Sequence, residues 1–237
     1  MGSFCNVLAE RLPRGEDVLV TRSHCDFCKK PLSWYELIPL FSFLIQNRRC
    51  RHCHKPLSFQ YPLIELVTAI GFVMIALEGV TSLPLLIGSL LIFSMCVVIM
   101  VADLKYFIIP DVTLIIMGLV GLGFLTTLVP SEIIMHVLSG VLSSLGFYLL
   151  YVCTKRKGMG FGDVKLVGVL GLLLGFPNTI IALYTAFLTG AIAGVILMMR
   201  GKAKMKTAIP FGPFLLIGAL VAWAWGPHIW TWWTMFI

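Results

Sequence analysis

From residue 62 to its end the chain is a succession of apolar runs, at 62–79, 83–102, 112–129, 133–153, 164–176, 178–199 and 209–235. That succession leaves few architectures open. A helix needs about 20 residues to cross the hydrocarbon of a bilayer, fewer where neighbours shelter it. In lipid each segment must also satisfy its own backbone N–H and C=O groups, which a helix does. The composition agrees: 59% of residues are hydrophobic and 12% charged, where a soluble domain carries about a quarter charged. The fifth run is short, and Phe176-Pro177-Asn178 predicts a tight turn into the sixth. The seventh is expected to end near Trp225, leaving Trp230, Trp232 and Trp233 in the headgroup belt. Met1-Gly2-Ser3-Phe4 shows neither the basic start nor the long apolar stretch of a cleavable signal.

The net charge of +7 could point to nucleic acid, but the distribution of the basic residues argues against it. Threading the seven runs puts 9–61, 103–111, 154–163 and 200–208 on one side, with 80–82, 130–132, Pro177 and the C-terminus on the other. Every Lys and Arg except Lys165 falls in the first set, and Lys165 starts a helix on that side. By the positive-inside rule the first set is cytoplasmic. The chain is therefore expected to be a multi-pass membrane protein with its basic segments in the cytoplasm, with the bilayer and no nucleic acid among its partners. Gly190/Gly194 and Gly171/Gly175 are GxxxG pairs. They are read as packing sites within one chain ahead of a dimer interface, and oligomeric state stays open.

The polar N-terminal region contains a short repeat. Cys25-Asp-Phe-Cys28-Lys-Lys-Pro-Leu-Ser33 and Cys50-Arg-His-Cys53-His-Lys-Pro-Leu-Ser58 are near copies. Each CxxC turn can present two thiolates to one metal, and two turns complete a tetrahedral sulfur site. The competing reading, two disulfides, is disfavoured by a reducing cytoplasm. Cys25, Cys28, Cys50 and Cys53 are thus the candidate ligands of a structural zinc, since a closed site leaves no open position for a substrate. His24, His52 and His54 are read as surface or supporting residues. Arg48, Arg49 and Arg51 would offset the charge of a metal tetrathiolate. The expected fold is an all-α polytopic membrane protein with about seven membrane helices and a small cytoplasmic zinc-ribbon-like module. Its domains are expected at 1–61 and 62–237.

Two acids sit where ionisable groups are costly. Asp103 ends the run Leu83–Ala102, and Asp163 ends Gly160-Phe161-Gly162-Asp163 and opens another run. Ionisable groups at the edge of hydrocarbon are functional candidates. Two carboxyls in a partly dry site share a proton, one serving as acid and one as base. The first motif is Asp103-Leu-Lys-Tyr-Phe-Ile-Ile-Pro110-Asp111, and the second is Gly158-Met-Gly160-Phe-Gly162-Asp163-Val-Lys165. Gly160 and Gly162 would let an extended substrate approach closely. Asp163 could equally cap the following helix. Asp111 is the chief rival for a catalytic role and is read as supporting, by orienting the loop after Pro110 or by contacting Lys105. His136 is read as a satisfied helix histidine.

Further elements make these motifs specific: Gly2-Ser3-Phe4-Cys5-Asn6-Val7 with Arg11-Leu12-Pro13, Trp34-Tyr35-Glu36 with Ile38-Pro39, and Tyr61-Pro62 with Glu65. With the aspartate motifs and the paired CxxC, the chain resembles the prepilin peptidases, the GxGD-type membrane aspartic proteases that process type IV prepilins and pseudopilins. The resemblance runs from end to end. It implies that Asp103 and Asp163 activate a water that cuts after the glycine ending a short basic leader. Gly160, Gly162, Asp111 and Lys165 would support that site. It implies prepilin or pseudopilin substrates and, as in many relatives, methylation of the new N-terminus with S-adenosylmethionine. The zinc-bearing region is associated with that second activity, and Glu36, Glu65, Asn6 and Arg11 are its candidate cofactor residues. Relatives usually carry a further apolar stretch ahead of Gly-Ser-Phe, so a first membrane helix is expected to be missing or cut short here.

Other functions are weighed against this one. A transporter or ion or proton channel would use acids deeper in the bilayer and inverted repeats. A membrane methyltransferase without protease activity would make both aspartates dispensable. A zinc hydrolase would need an open coordination position, and HExxH is absent. An assembly factor would leave the two aspartates without purpose.

Overall fold

The architecture, given by a computed structural model, is described for residues 1–18, 23–25, 27–33, 38, 43, 46, 48–79, 82–156, 158–201 and 208–235. The chain divides into two compact units, Met1–Ala102 and Asp103–Ile237.

The first unit opens with α1 (Gly2–Arg11), which runs into a 3-10 turn, Leu12–Arg14, closed by Gly15 at φ +66°. The cysteine module follows, then α2 (Gln60–Leu77) and α3 (Leu83–Tyr106), whose last turn belongs to the second unit. Cys5 and Ala9 of α1, Ile64 of α2, and Val97, Val98 and Val101 of α3 form a buried cluster. Gly71 leaves room for the ring of Phe93. In the cysteine module the sequence repeat is a structural repeat. The amide of Cys25 donates to Lys30 O and that of Leu32 to Ser23 O, and the same bonds recur from Cys50 to Lys55 O and from Leu57 to Arg48 O. Lys29 and His54, each four residues after the first cysteine of its knuckle, both take left-handed φ, 57° and 55°.

The second unit contains α4 (Asp111–Leu128), α5 (Ile133–Cys153), α6 (Phe161–Leu174), α7 (Asn178–Met199) and α8 (Gly212–Thr234). Among the described residues, six helices are long and apolar enough to cross a membrane. The short fifth run becomes α6, a helix of 14 residues, about 21 Å at 1.5 Å per residue, less than the ~30 Å hydrocarbon core. Leu119, Leu142, Leu149 and Ile192 are exposed on the outer faces of this unit, which only a lipid solvent makes favourable. The protein is a multi-pass membrane protein. One expectation fails: α8 does not stop near Trp225 but continues through Pro227 to Thr234.

Small residues set the close approaches. A Cβ on Gly171 would lie 2.8 Å from Gly140 Cα, and one on Gly140 would lie 2.7 Å from Gly168 O. Ser143 and Ser144 on the same seam donate hydroxyls to Val167 O and Val164 O, at 3.4 and 3.3 Å. This seam holds α6 against α5, as small-residue packing does between membrane helices. Gly175 leaves α6 at φ +64° with the His136 ring against it, and His136 Nδ1 donates to Leu172 O at 2.9 Å. His136 is thus the satisfied helix histidine expected.

Candidate active site

Asp103 lies in the last turn of α3, where its carbonyl accepts the Phe107 amide at 3.0 Å. Phe107 then takes φ +57°, a conformation a bulky residue adopts only under constraint, and the chain turns out toward Pro110. Asp163 is the third residue of α6. It is not the N-cap, which is Gly160. Its Oδ2 instead reaches back and accepts the Gly160 amide at 3.2 Å. Both carboxyls are buried, at 5% and 7% exposure.

A third segment completes the pair. The amide of Gly212, the first residue of α8, donates to Asp103 Oδ2 at 2.9 Å. A Cβ on Gly212 would fall 2.6 Å from that oxygen, so any side chain would displace the carboxyl or the helix. The amide is aimed by its neighbour: the Phe211 ring packs against Phe187 at 5.3 Å and Phe147 at 6.3 Å between centroids. The helix N-terminus also places partial positive charge beside a group that must hold negative charge.

The glycines of the second motif serve the fold itself. A Cβ on Gly160 would sit 3.3 Å from Asp163 Oδ2, and one on Gly162 would sit 3.1 Å from Ile109 Cβ. Gly162 thus lets the first turn of α6 lie on the loop of the first aspartate motif. Asp111 pairs with Lys165, not Lys105: the ammonium donates to both carboxylate oxygens at 2.7 and 2.9 Å. The pair joins the opening turns of α4 and α6. Thr113, buried, donates its hydroxyl to Pro110 O at 2.6 Å and fixes the start of α4.

In the first unit the thiol sulfurs of Cys25, Cys28, Cys50 and Cys53 all lie within 4.8 Å of one another. Cys25 and Cys53 Sγ are 3.9 Å apart. A tetrahedral zinc with bonds of about 2.3 Å places its sulfurs about 3.8 Å apart, so the four fit a metal with little movement, and none is in a disulfide. The backbone amides of Cys53 and His52 draw the Cys50 thiol down to about 7, while burial pushes Cys25 up to about 11.

Residues 1–78 match the bacterial peptidase A24 N-terminal domain, and residues 90–195 match the type IV leader peptidase family. The prepilin leader peptidase/N-methyltransferase of Bacillus subtilis (strain 168) is 30% identical over 229 residues, 97% of this chain and 92% of that protein. The protein of that name from Aeromonas hydrophila is 32% identical over 264 residues, 98% of this chain and 89% of its own length. That of Legionella pneumophila is 32% identical over 225 residues, 91% and 76%.

The chain belongs to the type IV leader peptidase family.

No solved structure matches it. In this leader peptidase the remaining sequence candidates lie in the first unit. Asn6 is buried and donates its side-chain amide to Tyr61 O at 3.3 Å and Gly2 O at 3.4 Å. Glu65 lies against Gly2, where a Cβ would meet its Cα at 2.7 Å. Arg11 is buried too, and its guanidinium donates to Asp17 O at 3.1 Å. Glu36, with Trp34, Tyr35 and Pro39, lies outside the described residues. Gly212 is the residue that sequence reasoning missed. Its signal was the proline-flanked Pro210-Phe211-Gly212-Pro213 opening a helix, but nothing local ties that opening to Asp103.

Proposed function

We propose that this member of the family is a membrane aspartic endopeptidase that removes the leader of type IV prepilins or pseudopilins and methylates the new N-terminus. One observation carries the peptidase half: two buried carboxyls, Asp103 and Asp163, are each held by a backbone amide, and the turn that carries Asp163 lies on the loop that follows Asp103. Two such acids cannot both ionise easily and share a proton. The ionised member takes a proton from water while the oxygen adds to the scissile carbonyl carbon. The protonated member then gives its proton to the leaving nitrogen, and the dyad returns to one shared proton. The Gly212 and Gly160 amides hold the carboxyls in register, and the Asp111–Lys165 pair holds the turn that carries Asp163. The arrangement of the acids at helix ends favours this over a proton or ion path.

In this reading the basic segments and the aspartate site face the cytoplasm. The four cysteines bind a structural zinc, and the polar region 1–61 serves methyl transfer while 62–237 carries the peptidase. S-adenosylmethionine, when bound, supplies a methyl group on a sulfonium. The residues fit such a group, because among the described residues Asn6 Oδ1 is a buried acceptor with no donor. Asn6, Arg11 and Glu65 would hold it.

Mass spectrometry of a co-expressed prepilin tests both halves together, reporting leader removal and the added methyl mass. Full cleavage by Asp163→Asn would refute the assignment of the dyad. Cleavage without methylation in the wild type would refute the second activity alone.

A further inference from the structure

On α7, Phe187, Gly190 and Gly194 fall three and four residues apart and so share one face. That face receives the segment that opens α8. A Cβ on Gly190 would lie 3.4 Å from Phe211 Cε2 and 3.6 Å from the Phe214 ring, and one on Gly194 would lie 3.8 Å from Ile209 Cδ1. The Phe211 ring lies 5.3 Å from that of Phe187 and 6.3 Å from that of Phe147, and those two are 5.8 Å apart. Phe211 therefore completes a triangle of rings, with the bare backbone of Gly190 at its edge.

This ring belongs to the residue next to the amide that holds Asp103. Gly212 has no side chain, so its amide cannot be anchored by its own packing. The direction of that N–H is set by the plane of the Phe211–Gly212 peptide unit, which is rigid. At one end of the unit the Phe211 carbonyl accepts the amides of Phe214 and Leu215, both at 3.1 Å. At the other end the Gly212 amide donates to Asp103 Oδ2 at 2.9 Å. The Phe211 Cα carries the ring, so a shift of the ring on α7 tilts the plane and misaims the donor. Hydrogen bonds weaken steeply as alignment is lost, and small displacements around a reacting group cost rate.

We propose that Phe187, Gly190 and Phe211 are positioning residues for leader cleavage: the α7 face seats the Phe211 ring, and the seated ring keeps the Gly212 amide on Asp103. Gly190 serves by what it lacks, since a branched side chain there would take the space of the Phe211 and Phe214 rings. Phe187 forms one wall of the seat. The inference rests on the peptidase reading above and extends it to a helix that carries neither acid. A face that only held α7 to α8 would change stability and leave the bond to Asp103 alone.

Steady-state kinetics of prepilin cleavage by the full chain in nanodiscs test this, with Phe187→Leu, Gly190→Val and Phe211→Leu each made alone and together with Gly212→Ala. Alone, Gly190→Val and Phe211→Leu are expected to lower kcat about tenfold with KM nearly constant, and Phe187→Leu about threefold. On Gly212→Ala, where the amide bond is already broken, each should lower kcat by less than about twofold more. Gly118→Val, the same change in open space, should leave kcat unaltered. Losses that multiply in full with that of Gly212→Ala overturn the inference, because they come from a loosened fold and not from the amide. A rise in KM at constant kcat overturns it too, since the α7 face would then be a substrate contact, and so does unchanged cleavage in all three single variants. Phe211→Leu adds no volume and keeps an apolar side chain, so it carries the test where Gly190→Val does not fold. A wild type that cuts no prepilin overturns the peptidase reading, and this inference with it.

Discussion

The cysteine module is built from two halves with nearly the same text, and each half closes on its own backbone: Cys25 to Lys30, then Cys50 to Lys55. The aspartate site is built from three segments with nothing in common. Asp103 ends one helix, Asp163 begins another, and Gly212, 109 positions from Asp103, begins a third. In the first region the motif and the geometry are the same thing, since a CxxC turn presents its two thiols wherever it forms. In the second, no motif contains its own geometry. Packing by Gly140, Gly168 and Gly171 and by the Phe147–Phe187–Phe211 rings brings the parts together. A locally closed site tolerates distant change, whereas an assembled site answers to residues far along the chain.

The largest expected effect breaks the assembled site at its chemistry. Asp103→Asn or Asp163→Asn should lower cleavage by about 10²–10⁴-fold or abolish it, with metal content unchanged by elemental analysis. Metal loss in either variant would mean the two regions are not independent. The wild type should show a bell-shaped pH profile whose two limbs belong to the pair, and each single Asn variant should lack it.

Cys50→Ser is the converse. One ligand fewer should leave the module metal-free after dialysis, while leader cleavage stays within a few-fold because the dyad is closed within residues 103–237. Metal uptake by the wild type should release protons and weaken as pH falls. Cys25, whose thiol burial holds at about 11, enters a metal site only by giving up its proton.

Gly212→Ala sharpens the comparison. The added Cβ, 2.6 Å from Asp103 Oδ2, costs the amide bond to a charged group. That bond is worth about 1.5–3 kcal/mol, so kcat should fall by about 10–100-fold with KM nearly constant. Gly118→Ala, with open space around it, is the control. The smallest effect belongs to the Asp111–Lys165 pair. It is solvent-exposed and worth about 0–1 kcal/mol, so Lys165→Gln should change cleavage only a few-fold. The exchanged pair, Asp111→Lys with Lys165→Asp, should recover most of it.

Much of the molecule was legible without coordinates. Apolar length marks a membrane helix because lipid leaves the backbone no other partner, and six of the seven expected spans are helices of spanning length. The cysteine cluster was legible because its geometry is local. His136 was read correctly from its setting in an apolar helix. The end of α8 was misread, because tryptophans were taken as a stop although the helix continues through Pro227. The partner of Asp111 was misread because Lys105 is near in sequence and Lys165 is near in space.

The sequence by itself determined which runs become membrane helices of spanning length and which thiols meet, for these follow from hydrocarbon thickness and from the reach of a few residues. Only the tertiary structure decided that Gly212 holds Asp103 and that Glu10 meets Tyr61. Those pairings depend on which helix faces touch, and that is settled by small residues and ring contacts summed over whole helices, a quantity no short motif carries.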